Sequence, residues 1–132
     1  MWFNKLFKGI SIKNDSYIEV DDFEIIDHDL DSSYVKFLLK LDSLNIGVLS
    51  FDKIHHKWFF EYTAEFKQKS ENYNLIIGFP NLNSRYESKE LWPFFNVRIP
   101  GLKQPRIKEI LKKENIDPTN DVKLLQRFGE KT

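Results

Sequence analysis

The sequence has no cysteine and few glycines, and each scarcity excludes a class of site. Without cysteine, the chain forms neither disulfide bonds nor thiolate zinc centres. Its five glycines are spread along the 132 residues, so they do not form the glycine-rich loop that binds nucleotide phosphates. The sequence also lacks a nucleophile elbow and a kinase catalytic-loop motif. We therefore expect a protein that is not an enzyme and that uses no metal or cofactor.

Long apolar runs and an excess of one charge are lacking too. No run approaches the length of a membrane span, and the opening letters MWFNKLF lack the apolar region of a secretory signal. We expect a cytoplasmic protein with no membrane partner. The formal net charge is +0, which argues against a dedicated nucleic-acid-binding protein. A hydrophobic content of 41% is sufficient for the core of one domain.

Charge is nevertheless unevenly distributed along the chain. Residues 1–34 contain three lysines and eight acidic residues, so the remainder carries the balancing positive excess. We expect an acidic N-terminal extension over 1–34 that packs on or near a domain formed by 35–132. Bulky apolar residues at helical spacing over 1–10 predict a short helix docked on that domain, or alternatively a membrane-surface anchor.

The first two thirds of the sequence show the alternation of an antiparallel sheet. Apolar and polar residues alternate along short segments that are separated by turn-forming residues. The predicted strands lie within residues 21–28, 34–41, 44–51 and 57–66. Such a succession predicts a meander or a partly closed barrel.

The last third of the sequence has helical patterns. Ser84 and Glu87 form a capping box, which predicts a helix that runs towards Pro93. Pro105 stands at the start of a second helix, and Asn120 caps a third. The sequence thus predicts an α+β fold in which about three short helices from the C-terminal third pack against the sheet.

Two histidine-containing motifs are weak candidates for metal binding. His55 and His56 are adjacent, and adjacent side chains point to opposite faces of a strand. Residues 27–31 offer carboxylates to a hard cation, but they lack the glycine and the distal glutamate of a calcium loop. Solvated turns are the favoured interpretation of both motifs.

Aromatic residues crowd residues 91–101, LWPFFNVRIPG. Leu91, Phe95 and Ile99 lie at helical spacing, so we expect them to face the core. The other large side chains, together with nearby arginines, are of the types enriched in interface hot spots. The candidate partner-binding residues are Trp92, Phe94, Arg98 and Arg106.

Six basic residues lie within 98–113 and suggest a second function. With the nearby aromatics they resemble a nucleic-acid footprint, although Glu109 and Glu114 interrupt the cluster. The alternatives to a protein-docking domain are therefore a nucleic-acid-associated regulator and a scaffold whose aromatic surface pairs with itself. The oligomeric state stays open.

Several short motifs occur in an order that is typical of one family. They lie at residues 47–49, 60–62, 79–80, 93–95 with 99–101, 116–117, and 124–125 with Gly129. In this order they resemble the N-terminal domain of HipA-type proteins, the toxin kinases of bacterial persistence modules. The resemblance covers residues 44–129.

The resemblance implies a small stand-alone domain that binds a separate HipA-like kinase chain and neutralises it. A helix-turn-helix DNA-binding protein usually completes such a toxin–antitoxin module. The family's LLPEG motif is RIPGL here, without its acidic residue, and residues 1–34 have no counterpart in the family pattern. No part of this sequence matches the kinase core that carries the family's ATP-binding and catalytic residues, so none of those residues is transferred.

Overall fold

The computed structural model describes residues 10–12, 16–18, 23–27 and 33–129. In these ranges the chain forms an antiparallel sheet of five strands, a separate two-stranded ribbon and four short α-helices. The ribbon pairs β1 (Ile10–Ile12) with β2 (Ser16–Ile18). The helix predicted at the N-terminus falls outside the described residues, apart from Ile10, which is in β1. The acidic cluster at 27–31 also falls outside them, apart from the backbone of Asp27.

The main sheet is an open meander in which each strand pairs with the next one in the sequence. Its strands are β3 (Phe23–Asp27), β4 (Tyr34–Leu41), β5 (Leu44–Asp52), β6 (Lys57–Tyr62) and β7 (Tyr86–Ser88). The α+β prediction is confirmed, with the meander rather than the barrel. This order needs only local connections from β3 to β6, since each of those pairs is antiparallel and joined by a short loop.

Period-two alternation determines which face of β4 enters the core. Val35, Phe37, Leu39 and Leu41 are all buried, whereas the side chains between them are only half-buried. Between Leu39 and Lys40 the pairing with β5 shifts register by a bulge. The alternation predicted from the sequence is therefore confirmed for this strand.

The helices lie between β6 and β7 and after β7. They are α1 (Ala64–Lys69), α2 (Pro93–Asn96), α3 (Pro105–Lys113) and α4 (Asp121–Phe128). The predicted start of α3 at Pro105 and the Asn120 cap of α4 are confirmed, since the Asn120 side chain accepts a hydrogen bond from the Lys123 N–H. None of the helices in the described ranges is long and apolar enough to cross a membrane.

Two local predictions are wrong. The capping box at Ser84 and Glu87 does not begin a helix, because Tyr86–Ser88 pairs with β6 as the edge strand β7. The strand predicted over 57–66 ends at Tyr62. Thr63 follows it and caps α1, its hydroxyl oxygen accepting a hydrogen bond from the Phe66 N–H at 3.1 Å.

The core has a large part on the sheet and a small part between the last two helices. Six aromatic side chains are almost completely buried in the large part: Phe37, Trp58, Phe60, Phe66, Phe79 and Phe95. In the small part, Ile107 and Leu111 of α3 meet Leu124 of α4. The sheet is thus the platform on which the C-terminal segments are arranged.

Candidate functional site

The segment 91–101 crosses the edge of the core as a single helical turn. Pro93 occupies the first position of α2, where its fixed φ and missing N–H are tolerated. Leu91, Phe94 and Phe95 are buried. Phe94 and Phe95 belong to α2 and Leu91 precedes it, so the turn is held to the core by three large side chains.

Trp92 is the large aromatic side chain of this segment that retains accessible surface. It is half-buried, and its ring meets Phe79 edge to face at a centroid distance of 5.1 Å. Phe79 is itself completely buried. The indole is therefore fixed on one side by the core and accessible on another, which is the arrangement of an anchor residue at an interface.

Phe94 has only 4% of its surface exposed, and its ring packs edge to face on Phe95 at 5.0 Å. It therefore supports the segment from within the core and is not displayed beside Trp92. The sequence predicts Phe94 as a partner-binding residue, since it does not display the sheet edge that receives this side chain. Its contribution to partner binding stays a prediction.

The two arginines predicted to contact a partner lie in different surroundings. Arg98 is half-buried, and its guanidinium donates a hydrogen bond of 3.4 Å to the carbonyl oxygen of Gly129. It thereby ties the segment 91–101 to the residue that ends α4. Arg106, by contrast, is exposed near the start of α3.

The exposed side of α3 is basic. Ile107 and Leu111 face inward, and the charged side chains at the outward positions include more cations than carboxylates. The exposed charged residues are Arg106, Lys108, Glu109, Lys112 and Lys113. The predicted basic cluster thus forms one solvent-exposed helix surface beside the second part of the core.

The two histidines of the β5–β6 turn have separate contacts. His55 Nδ1 lies 2.8 Å from Asp52 Oδ2, and this contact, with backbone N–H groups of the turn, lowers the pKa of Asp52. The His56 ring meets Phe51 edge to face at 5.9 Å. Within the described ranges, no group of three or more His, Asp or Glu side chains is arranged to hold a metal ion.

A cleft of about 700 Å³ also opens between the β5–β6 turn and the start of α4, and the sequence did not predict it. Its lining residues that matter for recognition are Phe51, Lys53, His56, Lys89, Asp121 and Lys123. They come from segments far apart in the chain.

Comparison with known families matches the chain to a domain family. The model of the HipA N-terminal domain matches residues 38–132, which include most of β4 and every later strand and helix described above. Neither the curated proteins nor the solved structures contain a match to this chain. The match begins at Leu38 and so includes the segment 91–101, the basic surface of α3 and most of the lining of the cleft.

Proposed function

Because the chain belongs to the HipA N-terminal domain family, we propose that it is a non-catalytic domain that binds and neutralises a separate HipA-like Ser/Thr kinase chain. It acts as part of a bacterial toxin–antitoxin module in the cytoplasm, and a helix-turn-helix DNA-binding protein is a further partner. The observation that carries the proposal is the family match over 38–132.

The segment 91–101 supports the proposal because it offers an anchor on a rigid base. Trp92 packs against the buried Phe79 ring, so its side chain has little entropy left to lose when a partner covers the indole. Arg98 is held in place by the carbonyl oxygen of Gly129. Preorganised tryptophan and arginine side chains of this kind carry much of the energy of protein interfaces.

Arg106 contributes differently, since it is exposed on α3 and surrounded by further cations. A charge at the rim of an interface changes the association rate and its salt dependence more than the final affinity. We therefore assign Trp92 to the energetic centre of the docking surface and Arg106 to its rim.

The test is co-expression with a HipA-like kinase chain encoded beside this protein. The expected result is a complex that survives size-exclusion chromatography and a kinase with lowered autophosphorylation. Trp92→Ala is expected to weaken the complex by about 2 kcal/mol, which is about thirtyfold in Kd. Tyr73→Ala is the matched control, because Tyr73 is another half-buried aromatic that packs on the core, at Phe66.

For the rim, Arg106→Ala is expected to slow association, and Arg85→Ala removes an exposed arginine elsewhere for comparison. Stopped-flow or surface-plasmon measurements separate the association rate from the dissociation rate. The proposal is overturned if the wild-type protein forms no complex with the kinase, or if it leaves kinase toxicity and autophosphorylation unchanged.

The basic surface of α3 favours a second candidate, a nucleic-acid-associated regulator. Four of its exposed side chains are cationic against one carboxylate, Glu109. Binding to duplex DNA would have to weaken steeply with salt, since released counterions drive such binding. Undetectable binding in a low-salt mobility-shift assay removes this candidate.

A further inference from the structure

The cleft between the β5–β6 turn and α4 is named here the lysine cleft. Its volume of about 700 Å³ is in the range of ligand-binding clefts. Three separate segments surround it: the β5–β6 turn, the connection after β7, and the start of α4. Among the described residues, its lining includes an apolar floor at Val35, Phe51, Trp58 and Val122, and the charged side chains of Lys53, Lys89, Asp117, Asp121 and Lys123.

The floor of the lysine cleft is apolar and partly accessible. Val35 and Trp58 are buried, but Phe51 and Val122 are only half-buried although they pack against the main core. The Phe51 ring is held between Trp58, at a centroid distance of 4.9 Å, and His56. This fixed apolar floor has accessible surface that a bulky side chain of a ligand would cover, which is favourable in proportion to the area removed from water.

Three lysines lie around the floor, and the described residues offer none of them an acidic partner in a salt bridge. In the part of the chain that the structure describes, Lys53, Lys89 and Lys123 form no salt bridge. A lysine close by in the sequence behaves differently, since Lys57 Nζ lies 2.7 Å from Glu87 Oε1. The cleft therefore offers three cations whose charge is not neutralised by these ion pairs.

Two carboxylates also line the cleft and limit its positive charge. Asp117 Oδ1 accepts hydrogen bonds from the N–H and the hydroxyl of Thr119, both at 2.8 Å, so it belongs to the loop before α4. Burial, and then the carboxylate of Glu90, raise the pKa of Asp121. With three lysines against two aspartates, the lining keeps a formal excess of one positive charge.

We propose that the lysine cleft binds an acidic peptide segment of a partner protein. One apolar side chain of the peptide covers the floor at Phe51 and Val122, and its carboxylates face the three lysines. A peptide fits better than a nucleotide, because the three lysines come from separate segments and surround an apolar floor that a side chain of the peptide would cover. The inference goes beyond the proposed function, since it does not require that the partner be a kinase.

The test uses a library of random ten-residue peptides displayed on phage, selected on the immobilised full-length protein. The expected result is enrichment of peptides with several Asp or Glu residues and one Leu, Phe or Trp. A synthetic copy of the most enriched peptide, labelled with fluorescein, is then titrated by anisotropy. Its affinity should fall as salt rises from about 50 to about 200 mM, because exposed charge pairs are screened.

The decisive variant carries Lys53→Glu, Lys89→Glu and Lys123→Glu, and is expected to bind the peptide at least about tenfold more weakly. The matched control reverses three exposed lysines elsewhere, Lys67, Lys69 and Lys103, with the same change in net charge. It should bind as the wild type does. Asp121→Asn should tighten binding about twofold or more, since it removes a like charge from the cleft. Circular dichroism verifies that all variants fold.

Several results would overturn the inference. One is a selection that returns no acidic class of peptides, and another is a triple lysine variant that binds as tightly as its control. Competition by ATP as effective as that of the unlabelled peptide would instead identify a site for small anions. Much tighter peptide binding after Asp29→Asn and Asp31→Asn would point to the chain's own acidic residues as the occupant. Kinase binding is measured separately, so a failure of the peptide-binding test does not affect the kinase-binding test, and the reverse also holds.

Discussion

The buried core on the sheet side of this protein is much larger than the one on the helical side. The main part of the core contains buried aromatic side chains from β4 and β6 and from the segments that cover the sheet, whereas α3 and α4 share a cluster of three buried aliphatic residues. Adjacent residues of α4 connect the two parts, because Leu125 packs in the main core and Leu124 in the small cluster. The basic surface of α3 therefore lies on a helix that only a small cluster of buried side chains holds in place.

The largest expected effect comes from emptying the middle of the sheet core. Phe60 is completely buried and its ring lies within 5.6 Å of the ring centroids of Tyr62, Phe79 and Phe95. Phe60→Ala should lower the free energy of unfolding by about 4 kcal/mol, because it removes buried area and leaves a cavity. Urea denaturation followed by tryptophan fluorescence measures the change.

The neighbouring Phe59 is the control for that substitution. It is half-buried on the opposite face of the sheet, where the Arg85 guanidinium lies 4.0 Å from its ring centroid. Phe59→Ala should cost about 1 kcal/mol, mainly lost packing and cation–π contact. Equal losses for the two variants would contradict the assignment of the core face.

The second prediction concerns the helical side. Leu111→Ala removes one of the three buried side chains between α3 and α4, and should cost about 2 to 3 kcal/mol. If the small cluster opens on its own, hydrogen exchange should accelerate in α3 and α4 while the amides of β4 to β6 stay protected. Mass spectrometry of exchange-labelled peptides measures this.

Ile110→Ala is the comparison, since Ile110 is only half-buried at the edge of the same cluster. It should accelerate exchange less than Leu111→Ala does. Uniform acceleration through the sheet and the helices in the Leu111→Ala variant would show that the two sides unfold together, and the distinction between them would not hold.

The smallest expected effect is on acid sensitivity. It compares Asp52, in the β5–β6 turn of the sheet side, with Asp117, in the loop before α4 on the helical side. Hydrogen bonding lowers the pKa of Asp52 from 3.8, first through His55, and that of Asp117 from 3.8, first through the Thr119 N–H. A lowered pKa stabilises the fold above the ordinary value, and this stabilisation is lost as pH falls through the folded-state pKa. Asp52→Asn and Asp117→Asn should each remove part of the acid sensitivity.

Of these two, Asp52 is expected to matter more, since its side chain is 10% exposed and bonded to two backbone N–H groups as well as to His55. Urea midpoints at about pH 7 and about pH 3 measure the difference. A larger loss of acid sensitivity in Asp117→Asn would reverse the expected order.

Much of the sheet could be predicted from the sequence, because alternation in β4 directly reports which side chains the core buries. β7 could not, since Tyr86–Ser88 is held by its pairing with β6, and pairing between distant segments overrides a local capping signal at Ser84. The start of α1 had its signal in Thr63, a good cap that interrupts the alternation of β6.

The candidate site was predicted in parts. Trp92 emerged from its residue type, because tryptophan is rarely wholly buried. The burial of Phe94 depends on the sheet edge that receives a one-turn helix, which the sequence does not display. The lysine cleft combines three distant segments, so neither spacing nor composition could predict it.

Gly47 has a consequence for how related sequences can vary. A Cβ atom at this position would lie 2.4 Å from the Phe60 ring and 3.0 Å from the carbonyl oxygen of Glu61. Because Gly47 has no side chain, it leaves the space that the Phe60 ring of the neighbouring strand occupies. Positions 47 and 60 should change together during evolution: a side chain appears at 47 only in sequences where the residue at 60 has become smaller.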